Sequence, residues 1–303
     1  MAPSPRIPLE LLLGAFHRRT ALAAGLTSRQ LQSRCWIRLF PQVYIHCSVP
    51  LTGEVRLAAM RLAAPADAVV TGYTAAWLYG VWQPPPGQVV PLELGVPRDR
   101  TAARGRSLRT HTLVLDPIDI NAWHDIPITS PERTCFGLMA RSELVEAVVF
   151  ADAFGHAGLV TWTGLMRYAD ERPHWPHVRK ARFATDLARF EAASPMETRL
   201  RMVIVLAGLP EPPLVNGGLY DERGVLMGIP DLGYFQPIFG LEYDSAYHHT
   251  AEQRAADNVR ENRLLVGQVP LLRYGPRDVF VHPDRIERDV AAMLGGRSLR
   301  HAS

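Results

Sequence analysis

The pattern of apolar and polar residues near the start of the chain predicts two helices. Residues 9–25 show helical periodicity, and Gly25 is of a residue type that commonly ends a helix. Residues 27–35 predict a second, shorter helix, in which Thr27 is the N-cap and Leu31 faces inward. The rest of this second helix is polar and is expected to be exposed.

A strand-like alternation follows these two helices. Residues 36–40 and 43–45 alternate around Pro41-Gln42, which predicts a β-hairpin. A short polar helix followed by a hairpin is typical of a winged helix-turn-helix, whose second helix enters the major groove of DNA. In that arrangement Arg29 and Arg34 contact DNA. A small structural helix with solvated arginines fits the same pattern.

The middle of the chain mixes strands and helices. Residues 91–96 and 109–115 predict strands, and residues 72–82 predict a helix. Thr129-Ser130-Pro131-Glu132 is typical of the start of another helix. Between about residues 171 and 191 the composition changes to proline, histidine and charge, which predicts a linker with His174 and His177 exposed.

The last part of the chain opens with a clear helix signal. Ser194 is the expected N-cap, Pro195 the first helical residue, and Glu197 the partner of Ser194 in a capping box. An amphipathic helix follows, and Gly208 is suited to end it. This role in capping is the structural explanation for Glu197.

Strands that carry acidic residues come next. Residues 213–220, 225–232, 237–243 and 269–274 predict strands, with a turn at 221–224 and a helix at about 251–265. The strands on either side of Gln236 are expected to pair antiparallel. Because side chains alternate along a strand, Glu242 and Asp244 share a face, and Asp231 joins them if the register allows.

Three carboxylates on one face repel one another unless a positive charge lies among them. Oxygen ligands in a half-open site suit Mg²⁺ or Mn²⁺, so we expect Asp231, Glu242 and Asp244 to hold such an ion. A surface on which these acids pair with the arginines of the helix at 251–265 is the simpler alternative.

Composition and charge limit the setting. The chain has 303 residues, is 47% hydrophobic, and contains neither a long uncharged apolar segment nor a signal peptide pattern. Its three cysteines, without C-x-x-C spacing, argue against a disulfide framework or a structural zinc site, and a reducing cytoplasm is expected. Residues 1–50 contain six arginines and one glutamate, whereas residues 191–303 contain fifteen acidic and twelve basic residues. The basic end suits phosphate, and the acidic end suits a cation.

Several enzyme classes lack their sequence signatures here. The chain contains no G-x-S-x-G motif, no P-loop and no dinucleotide-binding glycine fingerprint. The acidic strands therefore remain the main candidate for chemistry.

Part of the chain resembles a known regulator family. The runs ALAAGLTSRQLQSRCWIRLFPQVYIH, GYTAAWLYGVW and ITSPERTCFGLMAR are similar to the AbiEi-type antitoxins. This resemblance covers roughly the first 170 residues. It implies an N-terminal winged helix, a mixed α/β domain, DNA binding and a cognate toxin protein as partner. Gln42 replaces the usual glycine of the family at the hairpin turn.

The last part resembles a nuclease family. The order of Glu197, Pro230-Asp231, Glu242-Tyr243-Asp244 and His248, followed by Arg260, is similar to the PD-(D/E)XK fold. More closely it is similar to domain-of-unknown-function family 559, relatives of very-short-patch-repair endonucleases. The resemblance implies a metal-dependent endonuclease, in which His248 is the base because Asp244 stands where the motif has lysine. Arg254 and Arg260 are the expected DNA contacts.

These observations predict an α/β (α+β) protein of three domains. They are a winged helix-turn-helix at 1–50, an AbiEi-like α/β domain at 51–191, and an endonuclease-like mixed sheet flanked by helices at 192–303. The expected function is DNA binding with Mg²⁺- or Mn²⁺-dependent phosphodiester cleavage, with Glu197, Asp231, Glu242, Asp244 and His248 as catalytic residues. The alternative is a transcriptional regulator or antitoxin without catalytic activity.

Overall fold

A computed structural model describes residues 8–64, 68–85, 91–96, 104–105, 108–244 and 269–295. By its internal contacts the chain divides into two compact units, residues 1–134 and 135–303. Within the described residues, no helix has the length and apolarity needed to cross a membrane. The domain boundaries predicted after residues 50 and 191 remain predictions.

The first unit begins with short elements. In chain order they are a 3₁₀ helix at Leu9–Leu12, β1 (Phe16–His17), α1 (Arg18–Ala23), a 3₁₀ turn at Gln30–Gln32, β2 (Trp36–Phe40) and β3 (Val43–His46). The prediction of one helix over residues 9–25 is wrong, because Phe16 and His17 pair with β3 and must be extended. The ring of Phe16 packs edge-on against Trp36 at 5.4 Å, a contact between residues distant in sequence.

The predicted helix at 27–35 is also wrong. Only a three-residue 3₁₀ turn forms, and its N-cap is Arg29 rather than the expected Thr27. Thr27 still bonds the first residue of the turn: its hydroxyl accepts the Gln30 N–H at 3.3 Å, and Gln30 Oε1 accepts the Thr27 N–H at 2.7 Å. The backbone is already extended at Ser33, and β2 starts at the buried Trp36. The chain has to leave the helical conformation early because Trp36 packs in the core of the sheet.

The hairpin prediction is confirmed. β2 and β3 pair antiparallel, and β1 adds to the outer side of β3. Gln42 in the turn has a φ of 62°, the left-handed conformation that favours glycine. The turn therefore keeps a glycine-like backbone without the glycine.

The remainder of the first unit is a mixed six-stranded sheet with helices. Its elements are α2 (Gly53–Ala63), β4 (Val69–Val70), α3 (Gly72–Leu78), β5 (Leu92–Val96), β6 (Arg104–Gly105), β7 (Leu108–Thr112), a 3₁₀ helix at Pro117–Asp119, β8 (Ile120–Trp123) and β9 (Ile126–Thr129). The strand order is β6-β7-β5-β4-β9-β8, and parallel and antiparallel pairs alternate across it. The strands predicted at 91–96 and 109–115 correspond to β5 and β7.

Five helices lead to the second sheet. They are α4 (Pro131–Arg141), which crosses the division between the units, α5 (Leu144–His156), α6 (Trp162–Asp170), α7 (Val178–Asp186) and α8 (Pro195–Leu206). Helix α7 lies within the stretch for which a linker is predicted, and it buries Val178, Ala181, Ala184 and Thr185. The apolar spacing of these small residues explains the difference, since it gives the charged segment one buried face. His174 and His177 are exposed, as predicted.

The second sheet is small and mixed. The elements of this last region are β10 (Leu214–Val215), β11 (Leu219–Tyr220), β12 (Leu226–Gly228), β13 (Leu232–Phe235), β14 (Ile238–Tyr243), β15 (Leu271–Tyr274), α9 (Pro276–Phe280) and α10 (Pro283–Met293). The order is β10-β13-β14-β15; the first three strands are antiparallel, and β15 is parallel to β14. The strands predicted at 213–220 and 225–232 are each divided, because β11 and β12 form a separate two-stranded sheet. The α/β (α+β) class is confirmed.

Candidate functional site

The candidate site is a row of polar residues across the second sheet. Val215, Leu232, Leu241 and Leu272 occupy matching register positions and belong to, or pack against, the hydrophobic core formed with α8 and α10. The next row of register positions holds Asn216, Asp231, Glu242 and Arg273. Asp231 comes before Leu232 in the chain, because β13 runs antiparallel to its two neighbours. Since side chains alternate along strands, these register positions belong to the face opposite the core. The register thus places Asp231 beside Glu242.

Asp231 is a fixed, buried member of this row. It is 8% exposed and directly precedes β13. Its carbonyl accepts the Asn216 N–H at 2.9 Å, and its Oδ2 accepts the Tyr243 N–H at 2.8 Å. The carboxylate thereby takes the place of a backbone acceptor at the end of β14, which limits its freedom to move.

Glu197 reaches the same region from the start of α8. The Ser194 hydroxyl accepts the Glu197 N–H at 3.2 Å, so the predicted N-cap is confirmed. Glu197 Oε2 accepts the Ala193 N–H at 2.8 Å rather than that of Ser194, one residue earlier than a regular capping box. Its Oε1 has no hydrogen bond within the described ranges, which leaves an oxygen for another ligand.

Asn216 joins the two acids. Its side-chain Nδ2 lies 2.6 Å from Glu197 Oε2 and 2.9 Å from the Glu191 carbonyl. Its φ is 48°, a left-handed conformation that asparagine tolerates better than most residues. Sequence analysis did not single out Asn216; the available signal was an asparagine before two glycines inside an apparent strand.

Glu242 has a basic neighbour that the sequence analysis did not identify. Arg273, its register partner on β15, places Nε 3.3 Å from Glu242 Oε2. The side chain of Glu242 is 17% exposed, whereas that of Arg273 is 43% exposed. Positive charge among the acids is therefore supplied at least in part by the protein.

Asp244 and Tyr243 complete the end of β14. The N–H of Asp244 donates to the Tyr274 carbonyl at 2.9 Å, while its side chain is exposed. Burial raises the pKa of Tyr243 above its ordinary value. Asp244 lies two positions beyond Glu242 and continues the same face of the strand.

A network of buried charges lies among the neighbouring helices. Arg201 of α8 is fully buried; it donates to Asp152 Oδ2 at 3.0 Å and to Glu211 Oε1 at 2.9 Å. Thr198 also donates to Asp152, at 2.9 Å. Burial raises the pKa of Asp152 to about 6, while the Arg201 guanidinium acts in the opposite direction. This network secures α8, and with it Glu197, against α5.

Other predicted site residues fall elsewhere. His248, Arg254 and Arg260 lie outside the described residues. Arg29 and Arg34 are exposed on either side of the 3₁₀ turn.

The side chains of this row could hold a divalent cation only if water or phosphate completes its coordination shell. Across the described part of the chain, no three His, Cys, Asp or Glu side chains form a group able to hold a metal ion. Two neighbouring carboxylates, Asp231 and Glu242, nevertheless match the way Mg²⁺ is commonly bound, by one or two carboxylates with water and phosphate completing the shell.

Comparisons with known proteins add little. No protein-family model matches the chain, and no curated protein matches it. The chain is similar to the solved structure of the RV2827C protein from Mycobacterium tuberculosis, at 11% sequence identity and a TM-score of 0.37. That likeness covers 69% of this chain and 84% of the other.

Proposed function

We propose that this is a cytoplasmic DNA-binding protein whose C-terminal domain cleaves phosphodiester bonds with the help of Mg²⁺ or Mn²⁺. The observation that carries the proposal is that Asn216 bonds both the Glu197 carboxylate and the backbone carbonyl of Asp231, a residue next to Glu242 in the β13–β14 register. The resemblance to PD-(D/E)XK and family 559 nucleases agrees with this arrangement. The resemblance of the first 170 residues to AbiEi-type proteins implies a winged helix at 1–50 and DNA binding; the hairpin of that module forms, whereas the helix expected at 27–35 is a three-residue 3₁₀ turn.

Asp231 and Glu242 would hold the ion; the exposed Asp244, which does not form a metal-holding group with them in the described structure, is proposed to join them when the ion binds. When bound, it would polarise a phosphate oxygen and lower the pKa of water. The residues of the chain provide the rest of the site. Tyr243 N–H fixes Asp231, and the Oε1 of Glu197 is open to a water or a ligand. His248 is the proposed acceptor of the proton from the attacking water.

The experiment is a cleavage assay with the full chain. Supercoiled, mismatched and single-stranded DNA are incubated with Mg²⁺ or Mn²⁺, and Asp231→Asn is compared with wild type. Asp284→Asn is the matched control, because Asp284 is an exposed α10 residue whose only ion pair among the described residues is with Arg288. We expect metal-dependent cleavage in wild type and the control, and its loss in Asp231→Asn. Equal cleavage rates in all three proteins, or no cleavage of any DNA substrate, would contradict the proposed nuclease activity.

A second function is favoured by one specific observation, the contact of Arg273 with Glu242. An arginine in this position can neutralise the acids permanently, as expected of a transcriptional regulator or antitoxin without catalysis. Such a protein would bind DNA and a cognate toxin, and it would need no divalent ion. Calorimetry with Mn²⁺ separates the two functions, since only the nuclease predicts heat that disappears in Asp231→Asn.

A further inference from the structure

Two cysteines lie opposite each other at the open end of the β2–β3 hairpin. The register pairs Trp36 with His46 and Ile37 with Ile45, so one further step places Cys35 opposite Cys47. The Cys47 N–H donates to the Cys35 carbonyl at 2.8 Å, which shows that the two backbones are still adjacent there. Side chains directly opposite each other in an antiparallel pair project from the same face.

This spacing suits a covalent link. In an antiparallel ladder, opposite residues of the hydrogen-bonded kind have Cα atoms about 5.5 Å apart. Disulfides span Cα separations of roughly 4.4–6.8 Å, so the backbone needs little movement to allow a bond. The two strands are already held in place by β1 and by the packing of Trp36 on Phe16.

Both thiols are open to solvent. Cys35 and Cys47 are free and exposed, whereas Cys135, in the second unit, is buried. Neighbouring side chains of β2 point to opposite sides. Trp36 is 8% exposed and points into the core, whereas the preceding Cys35 is exposed. A dissolved oxidant can therefore reach this pair directly, while the burial of Cys135 protects it.

We propose that Cys35 and Cys47 are an oxidation site, which forms a reversible intramolecular disulfide when the protein meets a peroxide. One thiolate attacks the O–O bond of hydrogen peroxide, which gives a sulfenic acid and, after protonation, one water. The second thiolate then attacks the sulfenic sulfur, the S–S bond forms, and the hydroxyl leaves with a proton as a second water. Both cysteines are oxidised, the peroxide is reduced, and the inference is independent of any nuclease activity.

Peptide mapping gives a direct test. Trypsin cleaves after Arg34, Arg38 and Arg56, so Cys35 lies in the peptide 35–38 and Cys47 in the peptide 39–56. After treatment of dilute wild-type protein with hydrogen peroxide and blocking of remaining thiols, we expect these two peptides to appear as one linked species. The intact chain should become lighter by two hydrogen atoms, and dithiothreitol should separate the peptides again.

Variants make the assignment specific. Cys35→Ser and Cys47→Ser should each abolish the linked species, while Cys135→Ala should form it at the wild-type rate. Because the main result is measured on the wild-type chain, it does not depend on the folding of any variant. Oxidation of wild type to separate sulfinic or sulfonic acids, to intermolecular dimers only, or to no product at all would overturn the proposal.

Discussion

The side-chain amide of Asn216 lies 2.6 Å from Glu197 Oε2, while its backbone N–H donates to the Asp231 carbonyl at 2.9 Å. One residue therefore connects the first turn of α8 to the strand that carries the second acid. Asn216 contributes no charge of its own. Its importance lies in fixing the Glu197 carboxylate against the backbone of Asp231, whose own carboxylate is held by the Tyr243 N–H.

The first prediction concerns this connection. Asn216→Gly introduces a residue that tolerates the φ of 48° at this position, and it removes both side-chain hydrogen bonds. We expect the free energy of unfolding to fall by roughly 1.5–3 kcal/mol, as for the loss of a hydrogen bond to a charged group. Asn216→Ala should cost about 1 kcal/mol more, because the left-handed conformation disfavours a Cβ. Urea unfolding measures both changes.

A double-mutant cycle provides the control for Asn216. If the amide acts through Glu197, the effects of Asn216→Gly and Glu197→Gln should not add, with a coupling of about 0.5–3 kcal/mol. Strictly additive effects would show that the 2.6 Å contact does not contribute to stability.

The second prediction concerns Arg273 as a competitor of a bound cation. Arg273→Gln removes the positive charge 3.3 Å from Glu242. We expect Mn²⁺ to bind several-fold more tightly in calorimetry, because the carboxylate is then free of its protein partner. Arg277→Gln, an exposed change on the neighbouring α9, should leave the affinity unchanged. Weaker Mn²⁺ binding in Arg273→Gln would show instead that the arginine orients Glu242 for the ion.

The third prediction concerns pH. Burial raises the pKa of Asp152 from 3.8 to about 6, so the folded state binds a proton more readily than the unfolded state between these values. The favourable contribution of this protonation to stability is full below pH 3.8 and is lost as the pH rises through about 6. We expect the stability difference between wild type and Asp152→Asn to fall by roughly 3 kcal/mol over this range. Urea titrations at several pH values measure it, and a difference independent of pH would contradict the raised pKa.

The fourth prediction concerns the proposed DNA contacts. Arg29→Ala and Arg34→Ala should each weaken binding to all DNA sequences and reduce the slope of log affinity against log salt by about one unit, as expected for a lost phosphate contact. Arg167→Ala, an exposed change on α6, should alter neither quantity. Unchanged affinity and slope in both N-terminal variants would make the 3₁₀ turn part of the scaffold only.

Elements that depend on neighbouring residues in the sequence were predictable. Ser194, Pro195 and Gly208 mark the ends of α8 correctly, because caps act within a few residues of the backbone they satisfy. The β2–β3 hairpin and the antiparallel pair around Gln236 follow for the same reason, since a short turn between alternating segments specifies its own partner strand.

Elements that depend on distant partners were not predictable. Phe16 is extended because β3 lies beside it, and the helix expected at 27–35 shortens to a turn because Trp36 must reach the core. The pairing of Glu242 with Arg273 and the bridge from Glu197 through Asn216 to Asp231 likewise join residues far apart in the chain. Local pattern carries no information about which strands distant in sequence become neighbours, and only the packing of the whole sheet selects these contacts.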